Sequence, residues 1–250
     1  MKLSLLLAVL ALFLNPLLLA AQNSAEKEVE KSSFMWFDYN ETIRFNKKWT
    51  LQAELSERFL MDPVRQFQAM CRLHGLYNAG ENWTLGAAFS AWMIKQGDVT
   101  TYELRPAQVI ICKQKFEKAK NLALSHRYVM EERLNRKVAN GELAEGYAFT
   151  MRFRYRFWAD YTVAKIGEKK NPLKVIVSDE IFLQAGESIV YNTFQQNRFY
   201  AGISCRVIDG FSVAVGYMNQ FAQLKSGSRY EMVHIPRISF LHELHLAKKD

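Results

Sequence analysis

Ser125-His126 sets a hydroxyl beside an imidazole, the pair that a lipid hydrolase needs within hydrogen-bond reach. Within a strand, however, neighbours point to opposite faces. The two therefore form no dyad, and His126 shares its face with Leu124, Tyr128 and Met130. His242 and His245 bracket Glu243 and Leu244 and superficially suggest a metal pair. A spacing of three again separates them onto opposite strand faces unless a bulge or turn intervenes. The chain contains no CxxC, glycine-rich phosphate loop or GxSxG, so neither a metal nor a cofactor is expected, and a non-enzymatic protein is.

What remains is charge. Arg152, Arg154 and Arg156 alternate with apolar residues and share one face of an extended segment. On the same polar phase of other segments fall Glu54, Arg58, Arg72, Arg127, Glu131, Arg133 and Arg198, a set with a clear positive excess. In a low-dielectric interior such charges must pair or meet water. One outcome is a salt-bridge network that plugs a narrow barrel. The other is a water-filled path whose row of Arg152, Arg154 and Arg156 favours anions.

The elements that carry these residues are short and alternating. From Lys48 to Phe59, Trp49, Leu51, Ala53 and Leu55 alternate with Thr50, Gln52, Glu54, Ser56 and Arg58. From Tyr147 to Tyr161, Tyr147, Phe149, Met151, Phe153, Tyr155 and Phe157 oppose Thr150, Arg152, Arg154, Arg156 and Trp158. Period two means strands with one greasy and one polar face. Similar segments run at about residues 34 to 45, 66 to 77, 83 to 94, 101 to 116, 121 to 134, 173 to 184, 193 to 206, 211 to 222 and 229 to 246. Turn residues separate most of them, as at Asp62-Pro63, Gln96-Gly97-Asp98, Ala139-Asn140-Gly141, Asp209-Gly210 and Ser226-Gly227-Ser228. Eleven segments result, each about the nine to eleven residues that a tilted strand needs to cross a bilayer, or somewhat longer. Bacterial single-chain barrels have even strand numbers, so ten or twelve is the expected count.

Alternation alone does not say which face looks outward, since a soluble lipocalin-like barrel has the same period with its apolar face inside. Lysine placement separates the two. Lysines sit mainly in turns or near strand ends, at 47, 48, 95, 118, 120, 137, 165, 169, 170, 225, 248 and 249. The polar face in mid-strand carries Arg, Glu and Gln beside small residues such as Gly86, Ala88, Ser90, Ser212, Ala214 and Gly216. That mixture suits a crowded wet lumen, while the Trp, Tyr and Phe of the apolar face suit a lipid-facing band with aromatic girdles.

Met1 to Ala21 has Lys2, an apolar stretch broken at Asn15-Pro16, and a small-residue exit at Ala20-Ala21, the form of a secretory signal peptide. Residues 22–33, charged and without apolar periodicity, are expected as an N-terminal arm in the periplasm, with the barrel domain over 34–247. After residue 21 no apolar run approaches the length of a transmembrane helix. Cys71, Cys112 and Cys205 lie far apart, at least one of them is unpaired, and they read as small apolar strand residues. The formal net charge of +8 does not point to nucleic acid, because export and the placement of Arg in alternating strands argue against it.

The same residues carry a family resemblance. Trp36-Phe37-x-Tyr39, Asn46-Lys47-Lys48-Trp49 leading into Glu54 and Arg58, and Gln68-x3-Arg72 are followed by Ser125-His126-Arg127-Tyr128-x2-Glu131-x-Arg133. The arginine strand ending near Trp158, Glu180, Gln196-x-Arg198 and Gly216-Tyr217 continue the series. Together they resemble the bacterial outer-membrane family named domain of unknown function 2490. The resemblance spans essentially all of the chain after the signal and implies an outer-membrane barrel; it implies no activity, substrate or catalytic residue.

The expectation is thus an all-β chain forming a single antiparallel transmembrane β-barrel of about 10 to 12 strands in the outer membrane of a Gram-negative cell. It is surrounded by outer-membrane lipid. Its role is that of a narrow channel or binding barrel for small anionic solutes, or of a structural envelope component. The competing expectations are an outer-membrane lipid-modifying hydrolase and a soluble periplasmic ligand-binding barrel.

Overall fold

The computed structural model describes residues 28–246; the expected signal peptide, residues 22–27 of the expected arm and residues 247–250 lie outside them. Eleven strands follow one another: β1 (Glu28–Arg44), β2 (Trp49–Met61), β3 (Val64–Asn78), β4 (Trp83–Gln96), β5 (Val99–Lys115), β6 (Leu122–Ala139), β7 (Glu142–Ile166), β8 (Asn171–Ala185), β9 (Phe194–Ile208), β10 (Phe211–Gln223) and β11 (Arg229–His245). Each pairs antiparallel with the next, and β1 closes on β11 to complete a barrel. No helix occurs among the described residues.

Two expectations are corrected here. The strand number is eleven and odd, so the eleven segments of the sequence pattern stand and the adjustment to an even count does not. With an odd number the first and last strands run the same way. The seam between β1 and β11 is accordingly parallel, from Glu28 beside Arg229 to Arg44 beside His245. In addition, β1 begins at Glu28, so residues 28–33 are strand and not arm. The two glutamates of this stretch are answered locally by Arg229, which forms ion pairs with Glu28 and Glu30, and Ser32 Oγ donates to Glu231 of β11 at 2.7 Å.

The wall sorts residues by parity. On the outside stand Leu55 and Leu73, each 56% exposed, with Phe89, Ile203 and Val215, while Glu103 and Glu131 inside are 1% and 2% exposed. This reverses the usual placement of apolar and charged side chains in a water-soluble domain. All three cysteines are free thiols.

The interior is not uniformly polar. Trp36 of β1, Ile176 of β8, Tyr200 of β9, Met218 of β10 and Val233 and Ile235 of β11 pack as one apolar cluster, with Phe34 and Trp158 against it. Tyr200 fits because Gly202 and Gly216 face each other across β9 and β10. A Cβ on Gly216 would lie 2.6 Å from both the Tyr200 ring and the Ala201 carbonyl oxygen. Gly216→Ala is therefore expected to cost about 1–3 kcal/mol through overpacking, measured as a lowered urea midpoint. Gly80→Ala, in a turn with nothing within 4 Å, should leave the midpoint in place; equal midpoints for both variants would refute the packing account.

The hairpin of β6 and β7 turns at Asn140-Gly141, both with positive φ (52° and 77°), the geometry of a two-residue type I′ turn. β8 pairs with β7 only from Met151 upward, so the first turn-side residues of β7 extend past their neighbour as a projecting ribbon. Lys137, Val138, Ala144 and Ala148 of this ribbon line the mouth of the interior cavity.

Candidate functional site: the basic lumen

Strand parity turns all ten residues singled out from sequence inward. Glu54, Arg58, Arg72, Arg127, Arg133, Arg152, Arg154, Arg156 and Arg198 line a lumen cavity of about 1470 Å³. Glu131 lines a small void beside it with Arg72, Arg127 and Arg154. Asp38, Glu103, Arg105, Glu180 and Arg237 belong to the same interior and did not stand out as lumen charges in the sequence. The inward phase of their own strands was the available signal: Thr101, Glu103, Arg105, Ala107 and Val109 of β5 alternate with residues that face out.

Most of the charge is paired. Glu131 holds two neighbours of β7: its Oε1 accepts from Arg154 Nη1 at 2.5 Å, and its Oε2 accepts from Arg152 Nε at 2.7 Å and also from Arg152 Nη2. Glu180 accepts from Arg154 Nη2 at 2.8 Å and from Arg127 Nη2 at 3.1 Å. Glu103 receives both Arg105 (Nη2 at 2.6 Å) and Arg133 (Nε at 2.5 Å). Glu54 pairs with Arg72 at 3.1 Å, and Asp38 with Arg237 at 2.5 Å. Five carboxylates thereby neutralise part of seven guanidinium groups. The register explains the sharing. Glu131 lies directly opposite Arg152 and Glu180 directly opposite Arg156, so the arginines of β7 find carboxylates on both flanking strands.

Arg58, Arg156 and Arg198 have no carboxylate partner. Arg58 Nη1 donates to the Gln68 side-chain oxygen at 3.0 Å, and Arg198 Nε donates to that of Gln220 at 2.9 Å. Arg156 lies over the Trp158 ring at 5.0 Å. The Nε groups of Arg58 and Arg156 are buried without an acceptor. The row of Arg152, Arg154 and Arg156 is thus divided: two members are locked in ion pairs and only the third is not.

A second pattern crosses the first. Arg105 sits over Trp92 at 3.9 Å, and Arg58 lies between Trp92 and Trp36 at 4.6 and 3.8 Å. Arg198 lies over Trp36 and Phe182 at 4.9 and 4.7 Å, and Arg154 over Phe182 at 4.7 Å. Guanidinium and aromatic ring alternate through side chains of β5, β4, β2, β1, β9, β8 and β7. Each desolvated contact of this kind is worth up to about 2 kcal/mol. A π face stabilises a cation without cancelling its charge.

The histidines that invited catalytic readings are elsewhere. His126 is on the outer wall with Nδ1 2.8 Å from the Tyr155 hydroxyl, and its neighbour Arg127 turns inward. His242 bonds Glu41 at 2.7 Å on the outside, while His245 is 3.4 Å from Glu243, whose partner is Arg44. No group of three or more His, Cys, Asp or Glu able to hold a metal occurs among the described residues.

A family model described as "Protein of unknown function (DUF2490)" matches residues 34–231, from the middle of β1 into β11. No curated protein and no solved structure matches the chain.

Proposed function

The chain belongs to the DUF2490 family of unknown function, and from that premise we propose that it is an outer-membrane β-barrel of a Gram-negative envelope whose lumen holds or passes small anionic solutes. In this reading Met1 to Ala21 export the chain, outer-membrane lipid surrounds the wall, and the protein is neither an enzyme nor a nucleic-acid binder. The observation that carries the reading is the excess of buried guanidinium over carboxylate around an open cavity. Arg58, Arg156 and Arg198 face that cavity with no acidic partner. Rows of arginine in a confined path attract anions and repel cations. The outward apolar side chains of all eleven strands support a lipid-facing wall, because water would penalise so much exposed apolar area.

A structural envelope role has its own support in the ion pairs of Glu103, Glu131 and Glu180, which tie the neighbouring strands β5, β6, β7 and β8 together on the inner wall. The two roles are separated by reconstituting detergent-extracted protein into planar bilayers under a salt gradient. A reversal potential displaced toward that of chloride is expected. Extraction without detergent, absence of current, or a potential displaced toward the cation would overturn the anion-passing barrel.

A further inference from the structure

Buried charges are ordinarily answered by opposite charge. Inside this barrel every carboxylate of the central network is already committed, and two arginines that share one aromatic ring are left over. Trp36 carries the Arg58 guanidinium at 3.8 Å and the Arg198 guanidinium at 4.9 Å from its ring centre. Both groups are held by neutral oxygen atoms: Gln68 accepts from Arg58 and Gln220 from Arg198. Gln196, with its amide turned to satisfy both ends, adds two more acceptances from Arg198 at 2.9 and 3.0 Å. A glutamine carbonyl fixes the plane of a guanidinium as a carboxylate does and leaves its full charge in place. Arg58 is 8% exposed and its Nε points at no acceptor.

We propose that Arg58 and Arg198, set on Trp36 and steadied by Gln68 and Gln220, form an oxyanion-binding site in the lumen for the carboxylate or phosphate group of a small solute. The inference rests on the anion-favouring reading of the lumen and names where in it the anion dwells. Guanidinium forks match planar and tetrahedral oxyanions by paired N–H donors, and here the side-chain oxygens that hold both guanidinium groups belong to glutamines and not to carboxylates. Both side chains and Trp36 line the 1470 Å³ cavity, so a solute reaches them without displacing the ion-pair network. The glutamine side-chain nitrogens supply further donors at the same place. The Arg152–Glu131–Arg154 cluster plays no part in capture, because its donors are spent on Glu131, Glu180 and Gln195.

The test is equilibrium binding of inorganic phosphate and, separately, benzoate to the purified full-length protein, measured by isothermal titration calorimetry. Saturable binding of at least one probe is expected. Arg58→Gln and Arg198→Gln should each weaken it about tenfold or more, as loss of a charge-assisted contact does. Lys169→Gln, in the turn after β7, should bind as the parent does. The Arg58→Lys and Arg198→Lys variants keep the charge and lose the fork, so they should weaken binding even if a glutamine variant does not fold. No saturable binding of either probe, or affinities indifferent to both arginines, would overturn the site. The bilayer experiment keeps the two ideas apart: anion selectivity with binding indifferent to Arg58 and Arg198 sinks the site alone. Arginine-dependent binding in a barrel that passes no current sinks the passage alone.

Discussion

Glu131→Leu is expected to lower the stability of the barrel by about 3–5 kcal/mol, the usual cost of stranding a buried charge. The substitution strands two guanidinium groups at once: Arg152 loses its only carboxylate and Arg154 keeps Glu180 alone. The next residue provides the comparison. Glu132 projects from the opposite face of β6, next to Met151 of β7, and no ion pair engages it. Glu132→Leu should therefore leave the urea midpoint unlowered, since it breaks no ion pair and places an apolar side chain on the outer wall. Adding Arg152→Met to Glu131→Leu should recover part of the loss, because the orphaned charge is then removed with its partner. Equal midpoints for the two glutamate variants would mean that water in the lumen screens these charges and that the network contributes little.

Leu55→Arg asks about the surroundings of the wall. Leu55 is 56% exposed on the outside of β2, midway along the strand. In water, an arginine at so open a position changes stability by about 0.5 kcal/mol or less. At the middle of a bilayer the same change costs about 2–4 kcal/mol. Unfolding of the protein from phospholipid vesicles should show the larger figure. A cost near zero there would remove the lipid-facing wall from the proposed function and leave a barrel that lives in water with its apolar face outward. The effect is independent of lumen chemistry, so it tests location without touching the arginines.

How much of this was legible in the chain depends on which coordinate is asked for. Alternation over Lys48 to Phe59 and Tyr147 to Tyr161 assigns every side chain to a face, since a strand has only two. That is why all ten lumen residues read from the pattern do point inward. Alternation says nothing of which strands are neighbours on the far side of a ring, nor of how far each is slid along the next. Glu131 meets Arg152 because of the β6–β7 register. Arg58 and Arg198 meet on Trp36 only because β1 has closed onto β11, bringing β2 and β9 within reach of the same ring. Those contacts, which decide which arginines are spent and which are not, lie beyond any local pattern.

The apolar cluster of Trp36, Ile176, Met218, Val233 and Ile235 was hidden for a different reason. Inward apolar residues interrupt the contrast that marks a strand, and they blur the assignment of the polar face just where one side of the lumen is filled. The long ends of β7 escaped because Glu142, Ala144, Glu145 and Gly146 carry no apolar alternation. The stretch is strand because Glu142 and Leu143 pair with Ala139 and Val138 of β6, ahead of an irregularity that ends where Tyr147 meets Arg136.

The parallel seam has a consequence for the chain as an object that can be cut and rejoined. Glu28 lies beside Arg229 at one rim, whereas His245 lies beside Arg44 at the other, with Leu246 bonded back to the Arg44 carbonyl at 3.0 Å. In an even-stranded barrel the two ends emerge side by side and a short linker permutes the chain. Here such a linker would have to traverse the full height of the wall, inside through the arginines or outside over the apolar band. A short linker cannot permute this chain. Appendages joined at Glu28 and at Leu246 would leave the barrel from opposite rims.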